Sequence, residues 1–389
     1  MKGKGLLPVL ILTVAAFVFN TSESAPIGLL TDISADLGIS EARAGFLISA
    51  YAWVVAIMSL PLILVCSHLE YKRLMTGIVG LFVASHVVSG LATGYWMLMF
   101  SRMGVACAHA LFWAVATPVA VRISPKGKQA LAMSLIMTGT SVAQIVGMPM
   151  GRMIGLALGW RMTFICIGAL AAVVLVFMIS AFPRVENDTD FSIGELPRIL
   201  RNRRLLAIYA IVILLVTGHF VAYSYIEPFM LQTAGLQPGT ITVVLMVFGL
   251  AGIIASAIFS KGFPARRTLL TLISSAGTAL ALALLEISAA SLWSITALCV
   301  FWGIAITMMN LVFQAELMDA EKKATTVAMA LYSGLFNVGI AAGPMIGGWA
   351  LNGPGLARTG YIGAAIALAG SAVSVWFLLR GRNLEVESR

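Results

Sequence analysis

The chain has 389 residues, of which 60% are hydrophobic and only 11% charged. A soluble domain is nearer half apolar and a quarter charged, so a soluble core of this size cannot hide so much apolar surface, and lipid must solvate much of it. The net charge of +9 does not point to nucleic acid, because the basic residues sit in short breaks between apolar runs.

Spanning a ~30 Å hydrocarbon core at ~1.5 Å per residue takes about 20 mainly apolar residues. Twelve runs satisfy this: 6–30, 43–66, 74–93, 96–121, 129–156, 161–183, 205–231, 240–260, 267–288, 291–315, 325–351 and 359–380. The first is too long, and lacks the small-residue pattern, for a cleavable signal peptide, so it reads as a span. Cys66, Cys107, Cys166 and Cys299 all fall inside apolar runs without metal-ligand spacing, and no disulfide, metal or cofactor is expected.

Ionisable side chains inside such runs cost about 2.5–3.5 kcal/mol or more near the bilayer centre and are expected to face a cavity or a partner. Run 1 carries Asn20 and Glu23, with Ile27 on the same stripe. In run 4, Arg102, Ala106, His109 and Trp113 follow i, i+4, i+7, i+11 spacing, which places them on one helix face. Run 7 has His219, Tyr223 and Glu227 at i, i+4, i+8, and run 10 has Trp302, Ile306, Met309 and Asn310. Run 2 adds Trp53, run 5 adds Gln144 and Arg152, and run 11 adds Asn337. Glu23 is expected ~10 Å and Arg102 ~9 Å below one end of their helices, in a layer shared with Arg152 and His219.

Orientation follows from Lys and Arg. With the N-terminus cytoplasmic, 20 of the 25 fall in inside segments, three (Arg43, Arg161, Arg358) fall outside, and only Arg102 and Arg152 lie within spans. Both termini are therefore expected in the cytoplasm. The longest hydrophilic stretch lies between runs 6 and 7. It divides the chain into a six-helix bundle at 1–183, a cytoplasmic linker at 184–204 with a short amphipathic helix around 194–201, and a second six-helix bundle at 205–389. Internal repetition agrees. Gly147-Met-Pro149-Met-Gly151 in run 5 pairs with Gly339 to Gly348 in run 11, which contains Gly343-Pro344, and Glu23 before Pro26 pairs with Glu227 before Pro228. Duplicated halves are the mark of a transporter.

These residues resemble a known family. The Gly-x-x-x-Gly-Pro-x-x-Gly-Gly of run 11 and Gly159-Trp160-Arg161 before run 6 are similar to the major facilitator superfamily. The loop Ser67-His68-Leu69-Glu70-Tyr71-Lys72-Arg73 departs from that superfamily's Asp-Arg-x-Gly-Arg-Arg, keeping the basic end and losing the Asp and Gly. Phe19 to Glu23, Tyr51 to Ala56, His109 to Trp113, Gly151-Arg152, Tyr223 to Phe229 and Phe301 to Ala305 resemble the bacterial sugar efflux transporters. The resemblance implies an all-α membrane protein of twelve helices in two bundles, with a central cavity lined by helices 1, 4, 7 and 10. It also implies proton-driven export of arabinose or thiogalactosides from the bacterial inner membrane. Related proteins include proton-coupled multidrug antiporters, which leaves drug export as the alternative.

On this reading Glu23 couples to protons with Arg102 or Arg152 as partner. Asn20, Gln144, Asn310 and Asn337 would bond hydroxyls, and His109, His219 and Tyr223 would contact substrate. Trp53, Trp113 and Trp302 would stack on sugar faces. Glu227, Pro149, Gly343 and Pro344 would belong to gates. Each has a packing alternative: Arg102 and Arg152 as snorkelling or packing residues, His109 as an interhelical hydrogen bonder, Glu227 and Glu286 as interfacial groups. His86, without a polar stripe, reads as structural. An integral-membrane enzyme is disfavoured by scattered histidines, a channel by the lack of a long filter loop, and direct ATP drive by the lack of a phosphate-binding Gly-x-x-x-x-Gly-Lys-Ser/Thr. The expected partners are a small molecule, protons and membrane lipid, and the expected state is a monomer.

Overall fold

The computed structural model describes residues 6–66, 69–125, 128–184, 196–321 and 325–387. Lys2, Lys4, His68, Lys126, Lys322, Lys323, Arg389 and most of the expected linker lie outside the described residues. Every regular element among the described residues is helical. In chain order they are α1 (Leu7–Gly28), α2 (Leu30–Asp36), α3 (Glu41–Cys66), α4 (Tyr71–Gly90), α5 (Tyr95–Ile123), α6 (Gln129–Val142), α7 (Met148–Leu158), α8 (Trp160–Ala181) and α9 (Leu196–Ile199). They continue with α10 (Arg203–Tyr223), α11 (Ile226–Pro228), α12 (Pro238–Ala283), α13 (Leu285–Ser288), α14 (Leu292–Ala320), α15 (Thr325–Asn352) and α16 (Thr359–Glu387).

Eleven helices among the described residues are long and apolar enough to cross a membrane. As expected, the eighth and ninth runs are two helices: within the stretch numbered α12 the backbone leaves helical geometry at Arg266 (φ −130°, ψ 32°), and that kink divides it. Beyond the kink the chain is helical to Ala283, about the shortest length that crosses a hydrocarbon core. α8, with a mean hydropathy of 2.8, turns Val173, Val176, Phe177 and Ile179 outward. An apolar surface of that kind needs lipid as its solvent.

Proline dictates most interruptions. Pro149 lacks an N–H for the carbonyl four residues back, and the rod from α6 to α7 takes up the mismatch in a π turn at Ala143–Gly147. Pro228 is likewise followed by a π turn, Phe229–Thr233. Run 7 is therefore not one rod: α10 stops at Tyr223, and Glu227 sits on the short α11, off the stripe that His219 and Tyr223 share. Gly159, at φ +87°, makes the sharp corner between α7 and α8 that a side chain would strain. The short helix expected near 194–201 is seen at Leu196–Ile199.

Backbone contacts divide the chain into two units, Met1–Ser40 with Ala50–Phe191, and Glu41–Ser49 with Ser192–Arg389. The first turns of α3 cluster with the second unit. The local cause is close packing: Gly45 is so near the Tyr225 ring that a Cβ there would lie 2.2 Å from its hydroxyl. In the first unit, α1 packs on α5, α6, α7 and α8, and α4 on α5 and α8. Gly139, Gly147 and Gly155 let the α6–α7 rod approach the α1 side at Thr13, Thr21 and Leu29. In the second unit, α10 lies against α15 and α16, and α12 against α14 and α16.

Candidate functional site

The site of the first unit is organised by a vacancy in the hydrogen bonding of α1. Pro26 has no N–H, so the carbonyl of Ser22, four residues earlier, loses its helical donor. Arg102 on α5 fills that place. Its NH2 group donates to the Ser22 carbonyl at 3.0 Å and its NH1 group to the Ser22 hydroxyl at 3.1 Å. Its guanidinium carbon also lies 4.7 Å from the centre of the Tyr51 ring, a cation–π contact. A buried arginine needs such company, because an isolated charge in the slab costs several kcal/mol.

Behind Ser22 stands His86 of α4. Its Nδ1 is 2.9 Å from the Phe82 carbonyl, which can only accept, so Nδ1 carries the hydrogen. In the neutral ring Nε2 is then an acceptor, and the Ser22 hydroxyl, 2.8 Å away, donates to it. The direction is consistent from Arg102 to Ser22 to His86 to the backbone of α4.

Glu23 is the next residue on α1. Its carboxylate lies 3.8 Å from Nε2 of His109, and 26% of its side chain remains accessible. Its charge and that of Arg102 act on each other, and the Tyr51 hydroxyl feels both. His109 meets Tyr51 edge-on at 5.6 Å and lies 6.2 Å from Trp113. Phe19 stacks between Phe82 and Phe112 and floors the cluster. Among the described residues, Arg102 Nε, His109 Nδ1 and the Tyr51 hydroxyl are buried without a protein hydrogen-bond partner. Buried polar atoms ordinarily find a partner, so these three remain open to further hydrogen bonds.

The second unit holds an aromatic cluster. His219 stacks on Tyr223 at 4.7 Å and meets Trp302 edge-on at 5.3 Å, and Phe248 closes on Tyr223 and Trp302 at 5.0 and 5.5 Å. Trp302 is wholly buried, so it works in this structure as the centre of the packing.

Each of the two units of this apolar chain thus holds a cluster of polar and aromatic side chains. A family model described as the Major Facilitator Superfamily matches residues 12–327. The chain belongs to the major facilitator superfamily. It is therefore a multi-pass membrane transporter of small molecules rather than a member of an enzyme family. A crystal structure of a bacterial homolog of the human lysosomal transporter Spinster, in an inward-facing and unoccupied conformation, is similar in fold. It has a TM-score of 0.67 and 15% identity, over 95% of this chain and 94% of that one.

The remaining expected residues of this superfamily member are more dispersed. Arg152 on α7 is buried and donates from NH1 to the Gly28 carbonyl at 2.5 Å, ~7.5 Å along α1 from Glu23. It caps the end of α1, and its charge reaches Asp32 on α2. Burial lifts the Asp32 carboxyl above its ordinary value, and Arg152 pulls the other way. Asn20 turns its amide back to the Ala16 carbonyl of its own helix, at 3.0 Å. Trp53 and Trp113 are half-buried, and Gln144 is exposed in the π turn. Asn310 accepts from Gln314 and from the Tyr332 hydroxyl. Asn337 donates to Ser333, while its carbonyl oxygen is buried without a partner among the described residues. Glu227 and Pro149 are buried, and Gly343 and Pro344 line the contact of α15 with α10, where the Tyr225 hydroxyl donates to the Pro344 carbonyl at 2.8 Å.

Several residues were not foreseen from the sequence. His86, which reads as structural from the sequence, is bonded by Ser22 across two helices, and Ser85 and Ser89 share its turn. Ser22 lies four residues before Pro26, a signal that its carbonyl would seek a donor. Glu316, near the end of α14, is only 2% exposed and is held by Arg204 at 3.1 Å and by two nitrogens of Arg267, with Asp319 bridging the same arginines.

Proposed function

We propose that this protein is a proton-coupled exporter of small sugars such as arabinose and thiogalactosides, resident in a bacterial inner membrane with both termini cytoplasmic. It works as a monomer by alternating access of its two halves. Glu23 is the carboxyl that binds and releases the proton, and Arg102 and His109 are the charges and dipoles that its ionisation must accommodate. The observation that carries this reading is the packing of Glu23, His109, Arg102 and Tyr51 into one partly accessible cluster inside an apolar unit, with buried polar atoms left over for a ligand. A carboxyl in such a place gains and loses a proton according to what faces it, so opening to one side or the other changes its proton affinity.

The aromatic and hydroxyl-bonding groups suit a sugar. Trp53 and Trp113 offer flat faces to C–H surfaces, and Asn20, Gln144, Asn310 and Asn337 offer amides to hydroxyls. The gate residues are Glu227, Pro149, Gly343 and Pro344, at the breaks and close contacts where helices change direction.

Export of lipophilic drugs is the competing reading, favoured by the His219–Tyr223–Phe248–Trp302 cluster, which is far more aromatic than polar. Cells overproducing the protein separate the two. Lower accumulation of labelled arabinose or thiogalactoside, with no gain in drug resistance, is the expected result. Resistance to chloramphenicol or lipophilic cations with unchanged sugar accumulation would replace the sugar reading with the drug one.

A further inference from the structure

We infer that Ser22 is a parking site holding the Arg102 guanidinium off Glu23, and that His86 is the positioning residue that keeps the Ser22 hydroxyl turned to receive it.

Both hydrogen bonds of Arg102 among the described residues end on Ser22, one residue from Glu23 on the same helix, and no ion pair joins Arg102 to Glu23 there. A guanidinium beside a carboxylate ordinarily pairs with it, so something must compete. The competitor is unusually strong. Ser22 offers a carbonyl that Pro26 has stripped of its helical donor and a hydroxyl whose own proton is committed elsewhere. His86 makes that commitment possible. With its Nδ1 hydrogen fixed on the Phe82 carbonyl, its Nε2 accepts the Ser22 hydrogen, which leaves the Ser22 lone pairs facing Arg102. His86 is itself held in place. It is fully buried, its ring lies tilted against Phe82 with centroids 4.1 Å apart, and Gly168 of α8 lies so close that a Cβ there would be 2.9 Å from the His86 Cβ.

The titratable and charged groups around this assembly in the first unit are few. α1 brings Glu23, α3 brings Tyr51, and α5 brings Arg102 and His109. α4 brings His86, and the α6–α7 rod brings Arg152, which is bonded further along at Gly28. α8 contributes the uncharged ring of Phe164, 5.6 Å from the guanidinium carbon. Arg102 therefore has two berths, Ser22 and Glu23, and the balance between them sets how readily Glu23 gives up its proton. Parking on Ser22 lets the carboxyl keep its proton, and release of Arg102 toward Glu23 drives the proton off.

This rests on Glu23 being the proton-carrying group proposed above. The test reads the titration itself: infrared difference spectra of the full-length protein in nanodiscs across a pH series, with the Glu23 carboxyl band assigned by its loss in Glu23→Gln. Ser22→Ala is expected to move the Glu23 midpoint down by about one pH unit, as a freed arginine settles on the carboxylate. His86→Leu should move it in the same direction by less, and His86→Gln, which keeps an acceptor at that depth, should restore the wild-type midpoint. A merely structural histidine would change thermal stability and leave the midpoint where it was. An unmoved or raised midpoint in folded Ser22→Ala overturns the inference. Should the variants fail to fold, nitrogen NMR of labelled histidine in the wild type decides. An Nδ1–H tautomer at His86 with Nε2 accepting is expected, and the opposite tautomer overturns the relay. Normal transport by Glu23→Gln alongside the expected midpoint shifts would remove the proposed function and leave this inference standing.

Discussion

At the scale of single residues, the physics is that of costly charges finding partners. Glu316 illustrates it outside the candidate site. Two arginines converge on a carboxylate that is almost wholly buried, while the arginines themselves are 42% and 36% exposed. Glu316→Gln leaves both facing a neutral amide. Removing one partner of a fully buried pair costs about 3–5 kcal/mol, and the exposure of the arginines discounts that toward ~2 kcal/mol. Asp319, 41% exposed in the same cluster, should cost under ~1 kcal/mol when changed to Asn. Thermal unfolding in detergent checks the contrast, and equal losses would contradict it. Asp32 gives a pH-dependent counterpart. Its native carboxyl holds its proton more tightly than in the unfolded chain, so its ionisation destabilises the fold as pH rises through its native value. Asp32→Asn is therefore expected to gain stability over the wild type as pH rises from acid to neutral, read as a widening gap in melting temperature.

At the scale of elements, prolines and glycines decide where helices bend and how closely they approach. On α15 a Cβ at Gly343 would lie 2.4 Å from the Phe220 Cβ and 2.7 Å from its backbone carbon, whereas a Cβ at Gly334 meets nothing within 4 Å. Gly343→Ala should cost about 1–3 kcal/mol by overpacking, and Gly334→Ala should be neutral or stabilising by up to ~1 kcal/mol through helix propensity. Similar effects of the two would contradict the packing. Pro26→Ala would give the Ser22 carbonyl its helical donor back and loosen Arg102, so it should shift the Glu23 titration in the same direction as Ser22→Ala. The helices themselves were legible, because runs of about 20 apolar residues have few alternatives in lipid. The breaks were less so. The kink at Arg266 falls between the expected eighth and ninth runs, but the stop of α10 at Tyr223, which removes Glu227 from its stripe, depends on local backbone geometry that hydropathy does not encode.

At the scale of the whole molecule, membership of the major facilitator superfamily accounts for the all-helical chain and its division into two units. The candidate site was legible in part. Arg102, His109 and Trp113 were placed on one face by helical spacing, because periodicity reports faces, and Glu23 in the same layer by its depth in its own helix; in the structure Glu23 and Trp113 both lie beside His109. Arg152 and Asn20 were expected there and turn instead to backbone carbonyls, a choice set by which acceptors a helix end or a turn leaves open. The three-residue relay through Ser22 and His86 joins three helices, and no spacing within one helix encodes such a contact. The central claim is that Glu23 couples proton movement to export of a small sugar. The most direct measurement is proton flux in proteoliposomes carrying the full chain and a trapped pH indicator, after addition of arabinose or isopropyl thiogalactoside. The account predicts sugar-dependent proton movement in the wild type and its loss in Glu23→Gln, and an equal flux in both proteins would contradict it.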